Sequence, residues 1–163
     1  MYVTTDRALP ATEETVRAQR DHAEAVDALY RFGLGQDLRD RDLFASALAA
    51  DAELDFRPAA ARWGGRPPLM RGRDTIVDTV LALFRDRVDT THVVTNPRVA
   101  VDGDTARVTA LVEAQHLLKG HEVHALLKNR YDVGLVRDGD RWVMRRARID
   151  NVWFTGEPAA VFG

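Results

Sequence analysis

Residues 105–154 constrain this chain most. They read as three long strands, 105–118, 121–136 and 141–154, separated by the polar turn formers Lys119-Gly120 and Arg137-Asp-Gly-Asp140. Each strand is on the order of 12 residues, against a usual 5–6. A further strand near 97–101 enters through Asp102-Gly-Asp104. Strands in hairpin order make an antiparallel sheet, and long strands in a sheet that must twist tend to curl. A curled sheet has a concave face, and a concave face makes a pocket. The chain before residue 90 is expected to cover that face.

That earlier chain reads as helices with one short strand. Thr12 is placed to cap a first helix, with Glu13 and Glu14 in the first turn where the helix dipole favours negative charge. Val16, Ala23, Val26, Leu29 and Tyr30 predict its apolar stripe, Gly33 and Gly35 its fraying end, and Asp37 follows closely. A short second helix is expected over 41–50 and a strand over 52–56. Residues 57–70 hold three prolines and two glycines, so they predict a loop of the length often used as a lid, with Trp63 at its centre. Gly72-Arg-Asp-Thr-Ile76 opens a third helix whose buried face is Ile76, Val80, Leu83 and Phe84, and 90–95 is a strand carrying His92. Helices followed by strands indicate an α+β fold.

The chain of 163 residues predicts one domain over 12–163, preceded by a loose arm over 1–11. Net charge is −2 with both signs interspersed, which offers no electrostatic case for nucleic acid or an anionic membrane. There is no cysteine, and no run of about 18 apolar residues to span a membrane. Residues 1–10 lack an apolar core, so a signal peptide is not expected and a cytoplasmic protein is the default.

The candidate chemistry narrows to an imidazole and a carboxylate. His121-Glu-Val-His124 puts two histidines on opposite faces of a strand, so no metal site is expected. His22 falls among charged neighbours on a helix. Ser46, the only serine, lacks a Gly-x-Ser-x-Gly elbow, and no glycine-rich phosphate loop occurs. His92 and His116 lie within strands and are either inward-facing site residues or satisfied core histidines. Asp37 either satisfies backbone groups after the first helix or faces a histidine. An aspartate facing a histidine fixes its tautomer and stabilises the imidazolium formed when it takes a proton. Tyr131 is either core or a proton donor. Arg146 and Arg148 are either a solvated face or pocket residues. Trp63 either packs or closes over an apolar ligand.

In order and spacing the chain resembles the SnoaL-like branch of the nuclear transport factor 2-like superfamily. The residues that carry the resemblance are Ala28-Leu-Tyr30, Gly35-Gln-Asp37, Gly72-Arg-Asp-Thr-Ile76, Thr91-His-Val-Val-Thr-Asn96, Asn129-Arg-Tyr-Asp132 and Arg137-Asp-Gly-Asp-Arg-Trp142. The resemblance implies a cone-shaped α+β fold, a curved sheet wrapped by three helices. Within the superfamily the chain is similar to scytalone dehydratase, bile-acid dehydratase and hexachlorocyclohexane dehydrochlorinase, which use an Asp–His dyad. Asp37 and His92 stand at those two places, and His116 resembles a second histidine of scytalone dehydratase. The implied function is a cofactor-independent lyase or isomerase of dehydratase type, acting on a hydrophobic cyclic small molecule. Tyr30, Trp63, Tyr131 and Arg148 are candidate substrate contacts. Two alternatives stay open: a polyketide cyclase of secondary metabolism, and a non-catalytic binding or scaffold module. A homodimer or homotrimer is expected by analogy.

Overall fold

The structure, a computed structural model, describes residues 12–162. The arm expected over 1–11 lies outside them. Helix α1 spans Glu13–Leu38, and the Thr12 hydroxyl accepts from the Thr15 N–H at 3.2 Å. The helix does not fray at its glycines. Gly35 is required because an added Cβ would lie 2.5 Å from the Phe44 nitrogen, and one at Gly33 would lie 3.0 Å from the His92 Cβ. The helix ends at Arg39, whose φ of 58° is left-handed. Asp37 therefore belongs to the last turn of α1, not to the chain beyond it.

The buried stripe of α1 also differs from the predicted one. Val26 and Leu29 of that stripe are buried, together with Ala25, Ala28, Phe32, Gly33 and Gln36, whereas Val16 and Tyr30 are about half exposed and Ala23 is exposed. The inward face includes Ala25, Ala28, Gly33 and a glutamine, so a search for large apolar side chains misreads its phase.

Helix α2 covers only Arg41–Ser46, capped by Asp40, whose carboxylate accepts from the Leu43 N–H at 2.9 Å. Strand β1 then starts early, at Leu48–Asp55. Its alanines favour helix, but pairing with the last long strand overrides that preference. Helix α3, Arg57–Ala60, with Pro58 in its first turn, and a 3₁₀ turn at Ala61–Trp63 occupy half of the predicted loop. Strand β2 is Met70–Arg71 and helix α4 is Arg73–Phe84, which buries Ile76, Val77, Val80 and Phe84.

Four long strands follow: β3 (Val88–Asp102), β4 (Thr105–Leu118), β5 (His124–Asp138) and β6 (Arg141–Gly156). The two strands expected at 90–95 and 97–101 are one. Its register shifts between Thr95 and Arg98, and Asn96 takes a φ of 52° beside Pro97. Proline is tolerated there because β3 is an edge strand. The sheet runs β2-β1-β6-β5-β4-β3, antiparallel except for the β1–β6 pair. It is a curved, unclosed α+β sheet. A short helix α5, Pro158–Phe162, was not predicted and packs near β4 and β5.

Alternation along β4 points Ala106, Val108, Ala110, Val112, Ala114 and His116 inward. The matching face of β5 carries Leu127, Asn129, Tyr131, Val133 and Leu135. Each large apolar side chain buried here stabilises the fold by about 1.5–3 kcal/mol. At the opposite end Trp142 is fully buried, and its Nε1–H donates to Asp21 Oδ1 at 3.2 Å. Arg137 donates to the same oxygen at 2.8 Å, which, ahead of the cost of burial, holds the Asp21 carboxyl below the ordinary range. Ala114 on β4 is small, and the space beside it on the concave face, between the sheet, α1 and α4, is the cavity.

Candidate active site

The cavity has a volume of about 560 Å³, within the usual span for small-molecule sites. Its wall is largely apolar: Phe32 from α1, Leu83 and Phe84 from α4, Leu127 and Ile149 from the sheet, and Phe162 from α5. Polar groups come from Gln36, Thr79, His92, His116, Asn129 and Tyr131, and a charge from Arg66 at the rim.

Asp37 and His92 meet although 55 residues separate them. The last turn of α1 packs on β3, and Gly33 permits the approach. Asp37 Oδ1 accepts from His92 Nδ1 at 2.7 Å and from the Thr90 hydroxyl at 2.8 Å, while Oδ2 accepts from the His92 backbone N–H at 2.8 Å. Burial alone would raise the Asp37 carboxyl. The hydrogen bond and charge of His92, then the Thr90 hydroxyl and the His92 N–H, outweigh it and hold the group below the ordinary carboxylate range. A carboxylate on Nδ1 places the imidazole proton there and the lone pair on Nε2. Nε2 has no hydrogen-bond partner among the described residues, and the ring lines the cavity.

Thr90 is itself held. Arg39 Nη1 donates to its hydroxyl at 3.0 Å, and the same guanidinium reaches the Gln36 and Val88 carbonyls and lies 5.4 Å from the Phe84 ring centroid. A chain of contacts thus runs from Arg39 through Thr90 and Asp37 to His92. Neither Arg39 nor Thr90 stood out in the sequence. Thr90 was detectable only as the inward residue two positions before His92.

His116 lies opposite Thr90 in the β3–β4 register, and its ring is 5.6 Å from that of His92. It is 4% exposed, packs on Phe84 and Phe162 with centroids 5.3 and 4.8 Å away, and its Nδ1 is buried without a partner. Burial, then the neighbouring His92, pushes it down to about 3, so the ring is neutral near pH 7. Tyr131 lines the cavity against Phe32. Burial and then the Asp37 charge push its phenol above the ordinary range, so it keeps its proton.

Two candidate contacts are corrected. Tyr30 is 48% exposed on the outer side of α1 and does not line the cavity. Arg148 falls on the outward parity of β6, between inward Ala147 and Ile149, with its Nη1 3.7 Å from Asp55 Oδ2. Arg146 shares that outward face. Trp63 does line the cavity, stacked on Phe162 at 5.8 Å and packed on Phe56 and Phe154. Four polar or charged wall residues, Gln36, Arg66, Thr79 and Asn129, were not among the candidates read from the sequence. Asn129, whose Oδ1 accepts from Asn151 Nδ2 at 2.9 Å, shares strand parity with Tyr131 and was detectable that way. Gln36 donates to the Phe32 carbonyl at 2.8 Å and is the residue before Asp37. Among the described residues no three His, Asp or Glu side chains cluster to hold a metal, and no helix is long and apolar enough to cross a membrane.

The site is thus a curved sheet roofed by helices over an apolar cavity, with an Asp–His contact at its wall. Residues 17–148 match the SnoaL-like domain, and the chain belongs to that family. It is 31% identical over 164 residues to the terrestric acid biosynthesis cluster protein E of Penicillium crustosum, covering 96% of this chain and 97% of that one. Solved structures share the fold. Kfla4162 of Kribbella flavida superposes with a TM-score of 0.75 at 24% identity, over 85% of this chain and 95% of that one. A type 3 hexachlorocyclohexane dehydrochlorinase of Novosphingobium barchaimii gives 0.72 at 21%, over 87% and 93%.

Proposed function

We propose that the cavity performs cofactor-independent proton abstraction and elimination on a hydrophobic, cyclic small molecule, with His92 as general base. The observation that carries this is His92 held between the Asp37 carboxylate at 2.7 Å and the open cavity. In the reaction, Nε2 takes a C–H proton beside a carbonyl, and the C–H electrons form an enolate. The Tyr131 phenol and the Asn129 amide, both on the cavity wall, supply donors for its oxygen in this reading. The enolate then expels a hydroxyl from the adjacent carbon. The His92 imidazolium, stabilised by Asp37, returns its proton to that leaving group, so water departs and the base is regenerated. His116, neutral at ordinary pH, serves as a hydrogen-bonding wall and not as a proton-carrying acid.

A second reading, ring closure by attack of the same enolate on a second carbonyl, draws support from the relative named for a biosynthetic cluster. Both readings require the base. General acid–base catalysis of this kind contributes about 10²- to 10⁴-fold. Cyclic ketones bearing a β-hydroxyl are screened in deuterated water for elimination and for exchange of the α-hydrogen. His92→Ala is expected to lower both by at least about a hundredfold while its circular dichroism and cavity stay intact. Turnover retained in that folded variant would remove the mechanism and leave the pocket a binding module.

A further inference from the structure

We infer that the ligand of this cavity carries a carboxylate, and that Arg66 is the residue that receives it. Arg66 is the one side chain with a permanent charge among the described residues that line the cavity. Its guanidinium forms no hydrogen bond or ion pair with any described residue. The neighbouring arginines differ. Arg57 is bound to Asp55 at 2.8 Å, Arg62 reaches the Val152 carbonyl, and Arg71 pairs with Glu53 at 2.7 Å. Arg66 is exposed at the rim of the apolar chamber, and a planar guanidinium there is suited to a carboxylate, which it can bind through two parallel hydrogen bonds.

The mount is specific. Arg66 sits in Gly64-Gly-Arg-Pro-Pro68. The Gly65 N–H donates to the Ala60 carbonyl at 2.9 Å, and an added Cβ there would meet Ala60 Cβ at 3.1 Å and Trp63 Nε1 at 3.2 Å. Gly65 thereby lets the loop lie against the aromatic wall. Pro67 restricts the Arg66 backbone to extended conformations, so the side chain leaves from a fixed base.

The sheet order separates this cation from the proposed proton chemistry. Arg66 precedes β2, at one edge of the sheet, and His92 is on β3, at the other. A molecule that reaches both spans the cavity, with its anion at the loop and its reactive carbon at His92. Among the described residues no Asp or Glu lines the chamber to repel it. The inference rests on the reading of this cavity as a substrate site, and it names a charge that the substrate bears.

The test uses the intact chain and two probes of one shape, naphthalene-2-carboxylate and naphthalene-2-carboxamide, titrated calorimetrically at low salt. Shifts of the His92 and His116 ring protons locate each probe in the cavity. The wild type is expected to prefer the carboxylate by roughly tenfold, the scale of one charge-assisted contact. Arg66→Gln should abolish that preference by weakening the carboxylate more than the carboxamide, and Arg66→Lys should restore part of it. Added salt should shrink it in the wild type. The inference is overturned if the wild type does not distinguish the probes, if neither enters the cavity, or if Arg66→Gln keeps the preference. It is equally overturned if His92→Ala, rather than Arg66→Gln, abolishes the preference, because the anion would then sit on the imidazole. Failure of the elimination chemistry leaves this binding comparison untouched.

Discussion

Replacing His116 with phenylalanine is expected to flatten the acid limb of the stability curve. The imidazole titrates near 3 in the folded chain and at 6.5 in the unfolded one, because burial, and then His92, oppose its charge. Arg39 adds to that opposition, while Asp37 and the Ala125 backbone pull the other way. The folded value is the lower, so between those limits the unfolded chain holds a proton that the folded chain does not. Stability therefore falls as the pH falls below 6.5. Each unit is worth about 1.4 kcal/mol, so two units of acidification cost about 2–3 kcal/mol. That is a large share of a typical total of roughly 5–15 kcal/mol. Phenylalanine keeps the ring contacts with Phe84 and Phe162 and removes a buried Nδ1 that has no partner. Urea titrations of both proteins between pH 7 and about pH 4.5 give the difference directly, since the other titrating groups are common to the two. Parallel curves would refute the reasoning, because they would mean that His116 gains its proton in the folded chain as readily as in the unfolded one.

Thr90→Val removes the hydroxyl that accepts from Arg39 and donates to Asp37. Turnover is expected to fall about tenfold with little change in KM, with roughly 1–2 kcal/mol of stability lost, and equal kinetics would deny Thr90 an orienting role. The same change raises the Asp37 carboxyl. Since its lowered folded value contributes stability above the ordinary carboxylate pKa that is lost in acid, Thr90→Val should begin acid unfolding at higher pH than the wild type. Gly35→Ala sets helix propensity against packing. Propensity alone predicts a gain of about 1 kcal/mol, but the new Cβ would lie 2.5 Å from the Phe44 nitrogen and 2.6 Å from its Cα. A loss of about 3 kcal/mol or more is expected in thermal unfolding, and a raised Tm would refute the close approach of α1 and α2.

The long antiparallel strands and their turns were legible because alternation and turn chemistry are local properties. The β4 limits were read without error, and β5 and β6 to within three residues. The inward parity of Tyr131 and the outward parity of Arg148 were equally present in that alternation, but nothing local says which parity faces a cavity. The phase of α1 was not legible. Its buried face mixes Leu29 and Phe32 with alanine, glycine and glutamine, and the glycines are buried by a neighbour, Phe44 at Gly35 and His92 at Gly33, that arrives from elsewhere in the chain. The parallel β1–β6 pairing, α5 and the fusion of β3 across Pro97 likewise depend on distant partners. Residue types and their order limited the chemistry to an aspartate and a histidine. Only the tertiary structure decided that Nδ1 meets a carboxylate while Nε2 is left open, that His116 is neutral, and that exposed Arg66 stands at the rim of the chamber. Tautomer, burial and the lack of a partner are properties of what surrounds a side chain, and the surroundings here come from residues as many as 55 positions away.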